Sequence, residues 1–214
     1  MIRCLLLVCI FLGVWQTGKV ALFHAKAFLA EQFIERAWQE TLNGRIQARP
    51  WPWADTWPVA EMSVPRLGIR QIILSGDSGR VLAFGPGHTE QSAQPGAGIT
   101  VISAHRDTHF GFLKALQQGD EIILRTPASS VHFQVNEFAI VDAREYRIDT
   151  ARFEDAMQTG QSNLLLVTCY PFDALRAGGN QRYLVMARSA FNSGSSVGTS
   201  SEMMLHNVSL SMPR

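Results

Sequence analysis

Apolar and polar positions along the chain divide it into a helical opening, a strand-rich middle and a polar end. Residues 4–15 are almost wholly apolar, and no charge appears between Arg3 and Lys19. Residues 22–40 continue with Phe23, Ala27, Ala30, Ile34 and Trp38 at helical steps, with Leu29 and Phe33 beside them. Lys26, Glu31, Gln32, Glu35, Arg36 and Gln39 take the opposite face. This spacing predicts an amphipathic helix, lying either on lipid or on the domain that follows. Asn43-Gly44 is its predicted stop. Pro50, Pro52 and Pro58 then constrain an extended connector. Its tryptophans, Trp51, Trp53 and Trp57, need a surface to cover, and the flank of the domain is the expected one.

From Val59 the pattern changes to short apolar runs broken by Gly and Pro. Residues 61–64 and 70–74 are predicted strands around a kink at Pro65 and Gly68. A Gly-rich loop follows, carrying Gly76, Gly79, Gly85, Gly87, Gly96 and Gly98. Residues 99–103 (ITVIS), 121–126, 131–141, 164–168 and 183–188 complete the predicted strands, with helical turns over 110–117 and 153–157. Short strands at this spacing predict a mainly β fold, a closed barrel or a sandwich. From Ser189 the chain is rich in Ser and Gly and reads as a disordered tail. The expected organisation is an N-terminal span over 1–25, a helix and connector over 26–58, a β-domain over 59–190 and a tail over 191–214.

The opening segment has a length problem. Its uncharged stretch, 4–18, gives about 22 Å of helix at 1.5 Å per residue, whereas a bilayer core needs about 30 Å. Extending the span to Ala25 reaches that thickness if Lys19 snorkels toward the headgroups. The expectation is an uncleaved signal anchor that crosses once, with Arg3 on the cytoplasmic side. The competing reading is a cleaved signal peptide ending at Ala25-Lys26-Ala27, a site well past the apolar run.

Composition narrows the chemistry. At 214 residues and 46% hydrophobic content the chain suits one domain plus an anchor. A net charge of +1 with 17% charged residues offers no basic stripe, so nucleic acid is not an expected partner. There is no CxxC or HExxH, and the six histidines are scattered. Glu137, Asp142, Asp149, Glu154 and Asp155 are available carboxylates, but no dense D-x-D-x-D loop occurs, and neither a metal nor another cofactor is expected. Cys4 and Cys9 lie in the apolar opening, which leaves Cys169 without a partner in the exported part. A lone exported cysteine reads either as a reactive thiol or as an inert buried one.

The stretch LLLVTCYPF (164–172) delivers that cysteine at the end of a buried strand, where Pro171 stops regular pairing. His105 follows ITVIS in the same way, and Arg182 precedes YLVMA. A thiolate is a nucleophile. A histidine can take its proton and later protonate an amine leaving group. An arginine can hold a developing oxyanion. Together they suffice for acyl transfer on a peptide bond. Taken singly, His105 also fits a satisfied turn histidine and Arg182 a surface charge, and the sequence does not bring the three together.

Four ordered motifs give the chain a family likeness: VPRLGI (64–69), GPGHTEQSAQPGAGITVISAHRDTHF (85–110), LLLVTCYPF and QRYLVMA (181–187). With them it resembles the sortases, membrane-anchored cysteine transpeptidases, and its details resemble most the sortases of Gram-negative bacteria. Ala104 stands where a glycine is often found in the family. The resemblance implies a sortase barrel of about eight strands. It also implies cleavage after threonine in an LPxTG-like signal of an exported client protein, through a thioester on Cys169, followed by transfer to an amine acceptor. His105 is then the implied general acid/base and Arg182 the implied oxyanion or backbone ligand. Thr168, Asp107 and His109 are assigned weaker contact, structural or tuning roles. The implied address is a single pass through a Gram-negative inner membrane, with the domain facing the periplasm. Alternatives are hydrolysis of the same thioester, an L,D-transpeptidase, whose cysteine motif differs from Val167-Thr168-Cys169-Tyr170, and a non-catalytic anchored β-domain that binds a surface protein.

Overall fold

A computed structural model of the chain describes residues 2–144, 162–174 and 179–189. The predicted helical turn at 153–157 and the Ser/Gly-rich tail over 191–214 lie outside the described residues. Helix α1 runs unbroken over Ile2–Leu42. It stops where Asn43-Gly44 predicts, because Gly44 takes a left-handed φ of 91° that a side chain would disfavour. The strands are β1 (Pro58–Val64), β2 (Ile69–Ser75), β3 (Gly87–His88), β4 (Ile99–Ser103), β5 (Glu121–Arg125), β6 (Ser130–Asp142), β7 (Asn163–Cys169) and β8 (Gln181–Ser189). A short helix α2, Gly79–Leu82, and 3-10 turns at Pro65–Leu67 and Gly111–Ala115 sit between them.

The strands close into a barrel in the order β1-β2-β3-β4-β7-β8-β6-β5, with β5 pairing back onto β1. β2–β3 and β4–β7 are parallel, and the remaining pairs are antiparallel. Alternation fills the inside. Met62 and Val64 of β1, Ile102 of β4, Leu124 of β5, Phe133 and Val135 of β6, Leu164 and Leu166 of β7, and Val185 and Ala187 of β8 form one buried cluster with Phe110 and Leu113. The alternate residues Ile99, Val101, Leu165 and Leu184 form a second apolar cluster on the outer face of β4, β7 and β8.

β3 is the one strand absent from the sequence-based expectation. It is two residues long, inside the Gly-rich stretch, and has no apolar alternation to betray it. It bridges β2 and β4 through Leu74↔Gly87 and Gly87↔Ser103. A Cβ on Gly87 would collide with the carbonyl oxygen of Gly76, so the close approach of the two segments requires glycine.

The C-terminal half of α1 packs on the barrel. Ile34, Ala37 and Trp38 are buried, and Trp38 Nε1 donates to Glu61 Oε2 at 3.1 Å. Arg70 clamps the same helix, donating from Nη1 and Nη2 to Glu35 at 2.9 and 3.1 Å and from Nη2 also to Glu61. Trp51 covers the flank as expected, edge-on to Phe84 at 4.9 Å, but Trp53 is 82% exposed. The expected membrane span over 1–25 is not upheld. Among the described residues no helix is long and apolar enough to cross a membrane. α1 is long, but charges at Lys19, Lys26 and Glu31 interrupt it, and its uncharged stretch stops short of the bilayer core.

Candidate active site

The barrel's register decides which strand ends meet. β4 and β7 run parallel with Ser103 beside Val167. The pairing continues one residue further, with Ala104 N donating to Val167 O at 3.2 Å. His105 therefore emerges at the level of Cys169. On the other side of β7, Cys169 is the direct partner of Arg182 on β8. The three side chains leave one rim of the barrel from neighbouring chain segments in the order His105, Cys169, Arg182.

They also share a face. Ile102 and Ala104, Leu164 and Leu166, and Val185 and Ala187 point into the core. Strict alternation then turns His105, Cys169 and Arg182 outward, in line with Val101, Leu165 and Leu184 of the outer cluster. Cys169 is half-buried and is the free cysteine among the described side chains. His105 is exposed, and its backbone oxygen accepts from Phe110 N at 3.0 Å, which holds the turn. The thiol and the imidazole make no hydrogen bond to each other. Arg182 donates from Nη1 to Gly179 O at 2.7 Å and to Gln181 O at 2.9 Å. Those bonds leave Nε and Nη2 unengaged among the described residues. Asp142, across β8 on β6, is pulled down to about 2, chiefly by hydrogen bonds from Arg144, with a smaller share from the charge of Arg182.

The weaker candidates separate on inspection. Thr168 faces inward, is buried, and donates from Oγ1 to Ala104 O at 2.8 Å, fastening β7 to the end of β4. Asp107 is largely exposed and accepts from Arg106 Nε at 3.2 Å. His109 lies beside α1. Burial lowers its pKa from the usual histidine value and the charge of His105 lowers it further, while Glu31 opposes both. Its carbonyl accepts from Gln71 Nε2 at 2.7 Å, and its side chain lines a cleft of about 710 Å³ between α1 and β2. His88, a loop histidine by sequence, is buried on β3 and bonded to Ala93 O and Ser92 Oγ. Among the described residues no three His, Cys, Asp or Glu side chains converge to hold a metal ion.

Sequence reading gave Arg106 no role. It is 6% exposed, and it donates from Nη1 to Pro171 O at 2.7 Å and from Nη2 to Ala174 O at 3.0 Å. An arginine in a polar turn reads as a surface charge, and the one available signal was its position between a strand-end histidine and an aspartate. An aromatic cluster supports the same turn: Tyr170 stacks on Tyr183 at 6.2 Å, and Phe172 meets Tyr183 edge-on at 5.2 Å.

Comparison with known proteins places this geometry. The profile of the Sortase domain family matches residues 62–190. Sortase D of Bacillus subtilis is 28% identical over 128 residues, which cover 59% of this chain and 61% of that protein. The chain thus aligns with less than two thirds of that relative's length. A Clostridium perfringens Sortase D5 transpeptidase shares the fold with a TM-score of 0.51 at 24% identity, over 73% of this chain and 88% of that one. Clostridium perfringens sortase C, solved with a C-terminal cell wall sorting motif, gives 0.53 at 21% identity over 78% and 90%. These relatives are not from Gram-negative bacteria, and with no helix that spans a bilayer among the described residues, the expected single-pass address in a Gram-negative inner membrane is overturned. Barrel topology, family profile and sequence identity agree on one conclusion: the chain belongs to the sortase family, whose members are cysteine transpeptidases.

Proposed function

We propose that the barrel, residues 59–190, is a cysteine transpeptidase that cleaves an LPxTG-like sorting signal of an exported client protein and passes the acyl group to an amine. The observation that carries this reading is the common outward rim of β4, β7 and β8, from which His105, Cys169 and Arg182 emerge side by side. The apolar outer cluster along β7 leads to that rim and suits the apolar residues of such a signal.

The chemistry balances with these groups alone. The Cys169 thiolate attacks the threonyl carbonyl carbon, and the carbonyl electron pair moves to oxygen. Arg182, through Nε and Nη2, holds that oxyanion, a role worth about 10²–10³ in rate. On collapse the C–N bond breaks, and the departing nitrogen takes the proton of the His105 imidazolium, leaving a thioester. An amine acceptor then gives a proton to His105 and attacks the thioester carbon. The C–S bond breaks, an amide forms, and the thiolate–imidazolium pair is restored. Since Cys169 and His105 are not hydrogen-bonded to each other, each reaches the substrate on its own, on either side of the scissile bond.

The test is a Cys169→Ala variant assayed with an LPxTG peptide and an amine, with products read by mass. The parent should give amide product and a covalent adduct at Cys169, and the variant neither, with unchanged melting. Amide formation by the variant would end the proposal, and free acid in place of amide would make the enzyme a hydrolase of the same signal.

A further inference from the structure

We propose that Arg106 is a positioning residue that sets the spacing between the thiol and the imidazole. The inference rests on the reading of Cys169 and His105 given above. Arg106 follows His105 directly, and its side chain turns the other way, into the barrel wall under the rim. There its guanidinium reaches the carbonyl oxygens of Pro171 at 2.7 Å and Ala174 at 3.0 Å, both in the turn that follows Cys169. Nε holds Asp107 at 3.2 Å on its own loop. One rigid planar group thus ties the segment carrying the acid/base to the segment just past the nucleophile. Thr168 ties the same two segments one step earlier, through Ala104 O at 2.8 Å.

Several features distinguish this from an ordinary surface arginine. The side chain is buried, although its ion-pair partner Asp107 is exposed, so the ion pair does not account for the burial. Its Nη donors are spent on main-chain oxygens of the far loop, so a change in the guanidinium moves backbone there. The geometry also needs a fork. A lysine ammonium carries the charge but cannot span two carbonyls with the same planar spread. Loss of either bond takes the arginine donor from a half-buried carbonyl and frees the turn that fixes the Cys169 backbone. Productive thioester chemistry requires the reacting groups to be held within a fraction of an ångström.

The experiment uses the full chain and variants Arg106→Lys and Arg106→Met. One readout needs no substrate: the rate of Cys169 alkylation by iodoacetamide at neutral pH. In both variants that rate should fall about tenfold from the parent's, because the turn that fixes the Cys169 backbone is released. With an LPxTG peptide and an amine, kcat should fall about 10–100-fold with KM changed less than about threefold, since the substrate contacts are untouched. Arg106→Lys keeps charge and stem, and it decides the question if Arg106→Met does not fold. A folded Arg106→Lys with the parent's alkylation rate and kcat overturns the proposal. A parent that forms no covalent adduct at Cys169 with the peptide instead overturns the nucleophile reading itself.

Discussion

His109 shows how burial can make a side chain responsive to pH. It lies against α1, its pKa is lowered by burial first and by His105 second, and Glu31 offsets only part of this. The unfolded chain binds the histidine proton near about pH 6.5, and the folded chain only at lower pH. Between those values the unfolded state carries more protons, so stability falls as pH drops through the window and is fully present above it. His109→Gln should therefore lose less melting temperature than the parent between pH 7.5 and 5. Equal losses in the two proteins would mean that His109 does not resist protonation in the fold. Asp120 has the same sign for a different reason, its pKa lowered by a two-pronged hydrogen bond from Arg66 that favours the charged form, so its contribution fades as pH falls through its lowered value.

Among the elements, β3 has the largest effect for its size. Two residues connect β2 to β4 and so complete the circle of pairing. Their position depends on Gly87, whose backbone lies too close to Gly76 for any side chain. Gly87→Ala should destabilise the protein by about 1–3 kcal/mol, the usual cost of forcing a methyl group into packed space, read as a drop in the denaturant midpoint. An unchanged midpoint would show that the two segments can part without loss. α1 presents the contrary case, a long element of which only part belongs to the fold. Among its described side chains the buried ones begin at Ile34, and Ile10, Phe11, Val14 and Trp15 are all exposed.

Taken as a whole, the molecule is a closed barrel with His105, Cys169 and Arg182 on one rim and a helix docked on the opposite pairing, β1 and β2. The helix is held by Trp38, by Ile34 and by the Arg70 clamp on Glu35 and Glu61. None of these contacts lies before residue 30. A protein that starts at residue 26 should therefore melt within about 2 °C of the full chain, since a shift of that size is under about 1 kcal/mol here. A fall beyond about 5 °C would mean that residues 1–25 pack on the domain after all.

Strand identity was legible locally because alternation and β-branched runs report burial directly. ITVIS is β4 to the residue, and 121–126, 131–141, 164–168 and 183–188 differ from β5, β6, β7 and β8 only at their ends. The motifs were legible too, since candidate residues at strand ends depend on types and order rather than on contacts. What lay beyond the sequence was register. Whether His105, Cys169 and Arg182 share a face depends on which strands pair and on which residues stand opposite, and a slip of one residue would send a side chain into the core. The partners of Arg106 and Thr168 were hidden for the same reason: they are 64–68 residues away, across pairings that exist only once the barrel closes. Local pattern carries burial, and chain closure carries proximity, because bonds between distant segments leave no periodic trace along the chain.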